Sequence, residues 1–152
     1  MDKEKYMKAA IKQALVAKSK DEVPIGCVIV KDDQIIARGY NKRETLNQSI
    51  AHAEIIAIQK ACRKLDSWRL EGCDLYVTLE PCPMCAGAII QSRIEHVYYG
   101  AYDFKGGSVE TCTHLFDVKE YNHHPSYEGG ILREECAQLL KDFFKEKRNK
   151  VK

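Results

Sequence analysis

Two short segments carry side chains suited to metal chemistry: His52-Ala53-Glu54 and Pro81-Cys82-Pro83-Met84-Cys85. Each stands where a non-helical stretch passes into a helical pattern. A Cys-x-x-Cys pair at a helix start brings both sulfurs to one terminus, where free N–H groups and the helix dipole lower thiol pKa values. Thiolates are the form that zinc binds. With His52 as third ligand the set is Cys2His, which leaves the fourth tetrahedral position to water, as catalytic zinc sites do. Glu54, two residues beyond His52, is free to face that position rather than bind the metal. A carboxylate there can take a proton from water and pass it to a substrate. Zinc lowers the pKa of its water to about 7, so hydroxide is available at neutral pH.

The Cys-x-x-Cys pair by itself also fits a redox centre or half of a structural zinc site. The redox reading expects a thioredoxin-like setting, whereas the run here is Glu80-Pro81-Cys82-Pro83-Met84-Cys85. A structural site needs a fourth Cys or His, for which His96, Cys112 and His114 are candidates. That reading gives Glu54 and the prolines no part.

The elements that must position these groups follow from periodicity. Residues 4–18 have helical spacing, with Tyr6, Ala9, Ala10, Gln13, Ala14 and Ala17 on one side. Pro24 leads into an apolar strand over 25–30, Lys31-Asp32-Asp33 makes a tight turn, and 34–40 returns as a second strand. The pattern predicts a helix over 51–65, a buried strand over 74–79, a helix over 83–92 and a strand over 96–100. Proline near the first turn of the helix at 83 costs nothing, because the N–H it lacks has no partner there. Residues 101–127 are irregular, and their length marks a working loop. A final amphipathic helix runs from 131 to about 147, with Leu132, Cys136, Leu139, Leu140 and Phe143 inward. Strands joined by whole helices imply that part of the sheet is parallel, with helices on both faces.

The chain has 152 residues, of which 45% are hydrophobic and 30% charged, and that suffices for one domain with a real core. No repeat or Gly/Ser/Pro-rich linker divides it, so we expect a single domain over 1–152. No run is apolar enough to span a membrane, and the N-terminus lacks the apolar core of a secretory signal. The expected location is the cytoplasm. Seven cysteines, an odd number, argue against a disulfide scaffold, and Cys27 and Cys62 lie in apolar stretches as small hydrophobes. A net charge of +2 diagnoses no partner, but residues 141–152 (KDFFKEKRNKVK) form a basic helix end. Such an end suits a phosphate backbone, and equally a solvated terminus whose cations complement the dipole.

The H-x-E…P-C-x-x-C pattern is a signature of zinc deaminases, and the sequence resembles the cytidine deaminase superfamily. It is similar in particular to the bacterial adenosine deaminases that convert the wobble adenosine of tRNA to inosine. The resemblance runs from about Tyr6 to Arg148. It rests on Glu22-Val23-Pro24-Ile25-Gly26, Gly39-Tyr40-Asn41, Ala51-His52-Ala53-Glu54, the long block Leu75–Ile94, Asp103 and Asn122-His123. It implies a three-layer α/β/α fold with a central mixed sheet of about five strands. It further implies one zinc ion per chain on His52, Cys82 and Cys85, proton shuttling by Glu54, and a homodimer that binds a tRNA anticodon stem-loop. Asn41 matches a position that hydrogen-bonds a flipped-out base, and the Ala53 N–H is a further contact to the base edge. Without the family, Asn41 reads as a turn residue after a strand. Asp103 matches a position near the ribose and backbone. Phe143 and Phe144 match a C-terminal helix bordering the anticodon loop, where aromatics stack on splayed bases; Phe143 is equally a core candidate.

One segment departs from the pattern. In the run 105–114, Glu110 takes the place of an expected glycine, and a carboxylate facing a phosphate path would be unfavourable. Two competing functions share part of the machinery. A deaminase of free guanine, cytosine or cytidine would need no basic helix end. A non-catalytic zinc RNA-binding module would need a metal with four protein ligands and no Glu54.

Overall fold

The computed structural model describes residues 2–151. Met1 and Lys152, the outermost residues of the expected 1–152 domain and of the basic run, lie outside the described residues.

The chain opens with α1 (Lys3–Ser19), capped by the Asp2 side chain accepting from the Lys5 N–H. A hairpin follows, β1 (Gly26–Lys31) and β2 (Gln34–Tyr40). Asp32 and Asp33 both take positive φ, 51° and 59°, as a two-residue turn matched to strand twist requires. Then come the short α2 (Arg43–Leu46), α3 (Ala53–Leu65), β3 (Cys73–Leu79), α4 (Pro83–Gln91) and β4 (His96–Ala101). A single 3-10 turn (Leu115–Asp117) interrupts the next loop before β5 (Ser126–Glu128) and the closing helix α5 (Arg133–Val151).

The strand order is β2-β1-β3-β4-β5. β1 pairs antiparallel with β2 and β3, whereas β3 and β4 pair in parallel, as do β4 and β5. The sheet is therefore mixed and five-stranded; of its two parallel pairs, β3–β4 is joined through α4 and β4–β5 through the long loop. Central β1 and β3 are buried nearly throughout because helices cover both faces, which is why they read as continuous apolar runs. One core layer lies between the sheet and α3/α4, with Ile29, Ala57, Ala61, Leu75, Val77 and Ile89. The other lies towards α1 and α5, with Tyr6, Met7, Val28, Tyr76 and Cys136. That is the expected three-layer arrangement.

Three features depart from expectation, β5 among them, since it starts within the stretch read as irregular loop. α2 was not foreseen, being a four-residue helix with no buried residue and hence no periodic signal. The helix expected from 51 begins at Ala53, because His52 is extended and serves as its N-cap. All seven cysteines are free; Cys27 is fully buried as expected, while Cys62 is only half-buried. Among the described residues no helix is long and apolar enough to cross a membrane.

Gly39 shows why one glycine on β2 bears on the site. A Cβ built there would stand 2.6 Å from the Ala53 carbonyl oxygen and 2.8 Å from the Ala57 nitrogen, both backbone atoms. Only a bare Cα lets the first turn of α3 rest on the strand. We expect Gly39→Ala to cost about 1–3 kcal/mol by overpacking and to lower turnover, since it displaces the helix start holding His52 and Glu54. Thermal unfolding and steady-state rates check this; an unchanged rate would show that the helix start is not so constrained.

Candidate metal centre and its cavity

His52 and Cys82 are the N-caps of α3 and α4, both extended, with φ/ψ of −75°/156° and −76°/174°. Neither side chain makes the usual capping bond. Pro83 holds the first turn of α4, and Cys85 follows within that turn. The two helix starts thus face each other. His52 Nδ1 lies 3.7 Å from Cys82 Sγ and 3.6 Å from Cys85 Sγ, and the three ligand atoms are within 4.8 Å of one another. Zn–S and Zn–N bonds of about 2.3 and 2.0–2.1 Å at the tetrahedral angle would require an S···N edge of about 3.5–3.6 Å. The cluster fits a metal with that donor set. Among the described residues no fourth His, Cys, Asp or Glu joins it. The three fourth-ligand candidates lie apart: His96 Nδ1 is bonded to Ser126, Cys112 Sγ sits 3.5 Å from the Phe104 carbonyl, and His114 is exposed. The four-ligand structural site therefore lacks its fourth ligand here.

The electrostatics suit metal binding and proton transfer. Hydrogen bonds from Cys85 and His52 bring the Cys82 thiol down to about 4, so it is a thiolate at neutral pH. The same contact with Cys82, together with burial, holds the Cys85 proton on in the metal-free protein. His52 is raised, first by its bond to Cys82. Glu54, on the first turn of α3, is 4% exposed, and burial pushes its carboxyl up to about 7, with the Cys82 thiolate adding to the effect. A carboxyl poised near neutrality can both accept and return a proton.

A cavity of 390 Å³ opens beside the cluster, lined by Glu22, Val23, Ile25, Asn41, Arg43, Glu44, His52, Ala53 and Phe144. His52 belongs to both cluster and cavity, so the ligand set is open on that side. Asn41 is buried in the wall: its Nδ2 donates to the Val23 carbonyl at 3.2 Å, and its Oδ1 accepts from the Arg43 N–H at 3.1 Å. One N–H and one lone pair of the amide stay open to a ligand. Ala53 lines the cavity at the start of α3, where the first N–H groups have no partner within the helix. Phe144 is exposed at the rim, while Phe143 is buried and meets it edge to face at 5.4 Å. The core reading of Phe143 is the one observed. Asp103 does not line the cavity; its Oδ1 accepts from the N–H groups of Lys105 and Gly106 at 3.0 and 3.2 Å and shapes its own loop. Glu110 turns inward, where Tyr99 donates its hydroxyl to it. The carboxylate that stood in for a glycine thus faces the fold.

Two buried carboxylates were missed. Glu22 accepts from the N–H groups of Glu44 at 3.1 Å and Thr45 at 2.6 Å, capping α2, whose own N-cap is a lysine. Burial opposes its charge, but these bonds prevail and hold it below the ordinary range. Glu80 is 1% exposed and accepts from the N–H groups of Asp103, Val109, Glu110 and Thr111 and from the Thr111 hydroxyl. It ties the 103–111 loop to the strand end beside Cys82. Acids flanking prolines read as surface; the available signal was their place at the ends of apolar strands.

An α/β/α domain with an open His–Cys–Cys centre at two helix starts has the architecture of the hydrolytic nucleobase deaminases. The chain belongs to the family of MafB19-like deaminases, which matches it over residues 1–148. It is 54% identical to the tRNA-specific adenosine deaminase of Bacillus subtilis (strain 168) over 149 residues, covering 98% of this chain and 92% of that one. A structure from a study of A-to-I editing by tRNA:A34 deaminases at the wobble position superposes with a TM-score of 0.86. The two chains are 47% identical, over 89% of this one and 98% of the other. The guanine deaminase of Bacillus subtilis is more distant: TM-score 0.67 and 34% identity, over 98% and 95% of the two chains.

Proposed function

We propose that this chain hydrolyses the 6-amino group of adenosine to give inosine at the wobble position of tRNA. It does so with one zinc ion per chain on His52, Cys82 and Cys85, as a cytoplasmic homodimer that binds the anticodon stem-loop. The observation that carries this reading is that His52 is at once a member of the metal cluster and part of the wall of a base-sized cavity. The stronger likeness to a tRNA-specific deaminase than to a guanine deaminase supports RNA over a free base.

The wobble adenosine is unpaired, so turning it into the cavity costs little. Asn41 and the Ala53 N–H hold the base edge, and the exposed Phe144 ring offers a stacking face for a neighbouring base. Zinc, when bound, supplies a Lewis acid that lowers the pKa of water to about 7. Glu54 takes one proton from the attacking water and delivers it to ring nitrogen N1 as the oxygen adds at C6; it then takes the proton of the new C6 hydroxyl and passes it to the exocyclic amine, so that the C6–N bond breaks and C6 becomes the carbonyl. Ammonia leaves. Stripping the metal with a chelator will abolish turnover and lower the thermal midpoint, and stoichiometric zinc will restore both, because ligand binding is linked to folding.

Ammonia release from an anticodon stem-loop, compared with release from free adenosine, cytidine and guanine, tests the reading. Sequencing tRNA from cells lacking the protein completes it: the adenosine-to-guanosine readout at the wobble position will vanish. An unchanged readout overturns the proposal.

A further inference from the structure

The outer side of α3 is basic. Ala53, Ala57, Ile58 and Ala61 face the core, whereas Lys60 and Arg63 are exposed. Lys60 Nζ donates to the Arg38 carbonyl at 3.0 Å, which ties the helix to β2, the edge strand of the sheet. Lys42 follows that strand and lies 4.9 Å over the Tyr40 ring. Partial burial, then repulsion from Lys42 and Arg63, lowers the Lys60 pKa, so these cations stand near one another. Among the described residues none of Lys42, Lys60 and Arg63 has a carboxylate within ion-pair distance. The C-terminal basic run differs, since Lys147 there is paired to Asp21 at 2.6 Å.

The strip is continuous with the cavity. Arg43, next to Lys42, lines the cavity with Glu44 beside it, and Lys60 and Arg63 continue outward along α3. They lie about 12 and 17 Å beyond His52 at 1.5 Å rise per residue. Gathered like charges without partners cost free energy that a polyanion offsets, releasing its counterions as it binds.

We propose that Lys42, Lys60 and Arg63 form a track for the phosphate backbone of the RNA whose base enters the cavity. This rests on the RNA reading above, and extends the contact surface from the Arg43 side of the cavity outward along α3.

The test uses the full-length protein and an anticodon stem-loop, with binding followed by fluorescence anisotropy across a salt series and deamination measured in parallel. Lys60→Gln/Arg63→Gln is expected to weaken binding about tenfold at 0.1 M salt and to make the log K against log salt slope shallower by about 1.5–2. The expected rate at saturating RNA is unchanged. Lys31→Gln/Lys119→Gln, which removes the same charge elsewhere, should leave the slope as it was. Equal slopes for the two double variants overturn the track, even if the parent deaminates the stem-loop. A parent that binds with the steep slope but releases no ammonia overturns the reaction and leaves the track standing.

Discussion

Glu54→Gln will keep its metal and lose turnover by about 10²–10⁴-fold, the contribution a positioned general acid–base makes. The substitution preserves volume and removes the buried carboxyl that stands beside Cys82 and Cys85. Glu54 is not among the ligand atoms, so metal content measured by atomic emission should match the parent. The thermodynamic side is equally specific. Its folded pKa, about 7, lies above the ordinary value of 4.5. In that window the folded state holds a proton that the unfolded state releases, so stability falls as pH rises through it. In the metal-stripped protein, Glu54→Gln should therefore flatten the decline in unfolding free energy across that range. A variant with normal turnover would remove Glu54 from the chemistry; one that loses metal would make it a ligand.

Glu80→Ala is expected to cost about 3 kcal/mol or more, because it strips a charged acceptor from four backbone N–H groups and leaves them buried or newly wet. For a chain of this size that is a fall of roughly 6–12 °C in thermal midpoint. Glu80 has the opposite sign to Glu54. Burial raises its pKa, but the Thr111 hydroxyl and the loop N–H groups outweigh it, and its carboxyl is held below the usual range. Its contribution is therefore complete above the ordinary carboxylate pKa and is lost as pH falls through the folded value. Urea titrations between neutral and acid pH will show the parent losing stability more steeply than Glu80→Gln. A loss under about 1 kcal/mol in Glu80→Ala would mean that the loop finds other partners. Two buried carboxylates driven apart in this way separate the group that works from the group that holds.

The metal cluster was legible because ligand chemistry dictates residue type and spacing, and a helix start adds its own signature. The strand at 34–40 was legible to the residue, since a two-residue aspartate turn fixes where the hairpin reverses. What escaped depended on distant partners. α2 has no buried face, and it is ordered by Glu22 from another part of the chain. β5 spans three residues and exists by pairing alongside β4. Glu110 reads only as a carboxylate in the place of a glycine, with no direction given, until Tyr99, eleven residues earlier, is placed against it.

The hairpin pairing of β1 with β2 is local, but β1 also pairs with β3, joining Lys31 to Cys73 across the whole of α3. His52 sits inside that closed segment, and Cys82 and Cys85 lie just beyond it. During synthesis the histidine emerges well before the cysteines, and no partial chain ending before α4 can assemble the ligand set. The three ligand atoms therefore come together across a long stretch of chain, and their assembly depends on the same non-local closure that pairs β1 with β3.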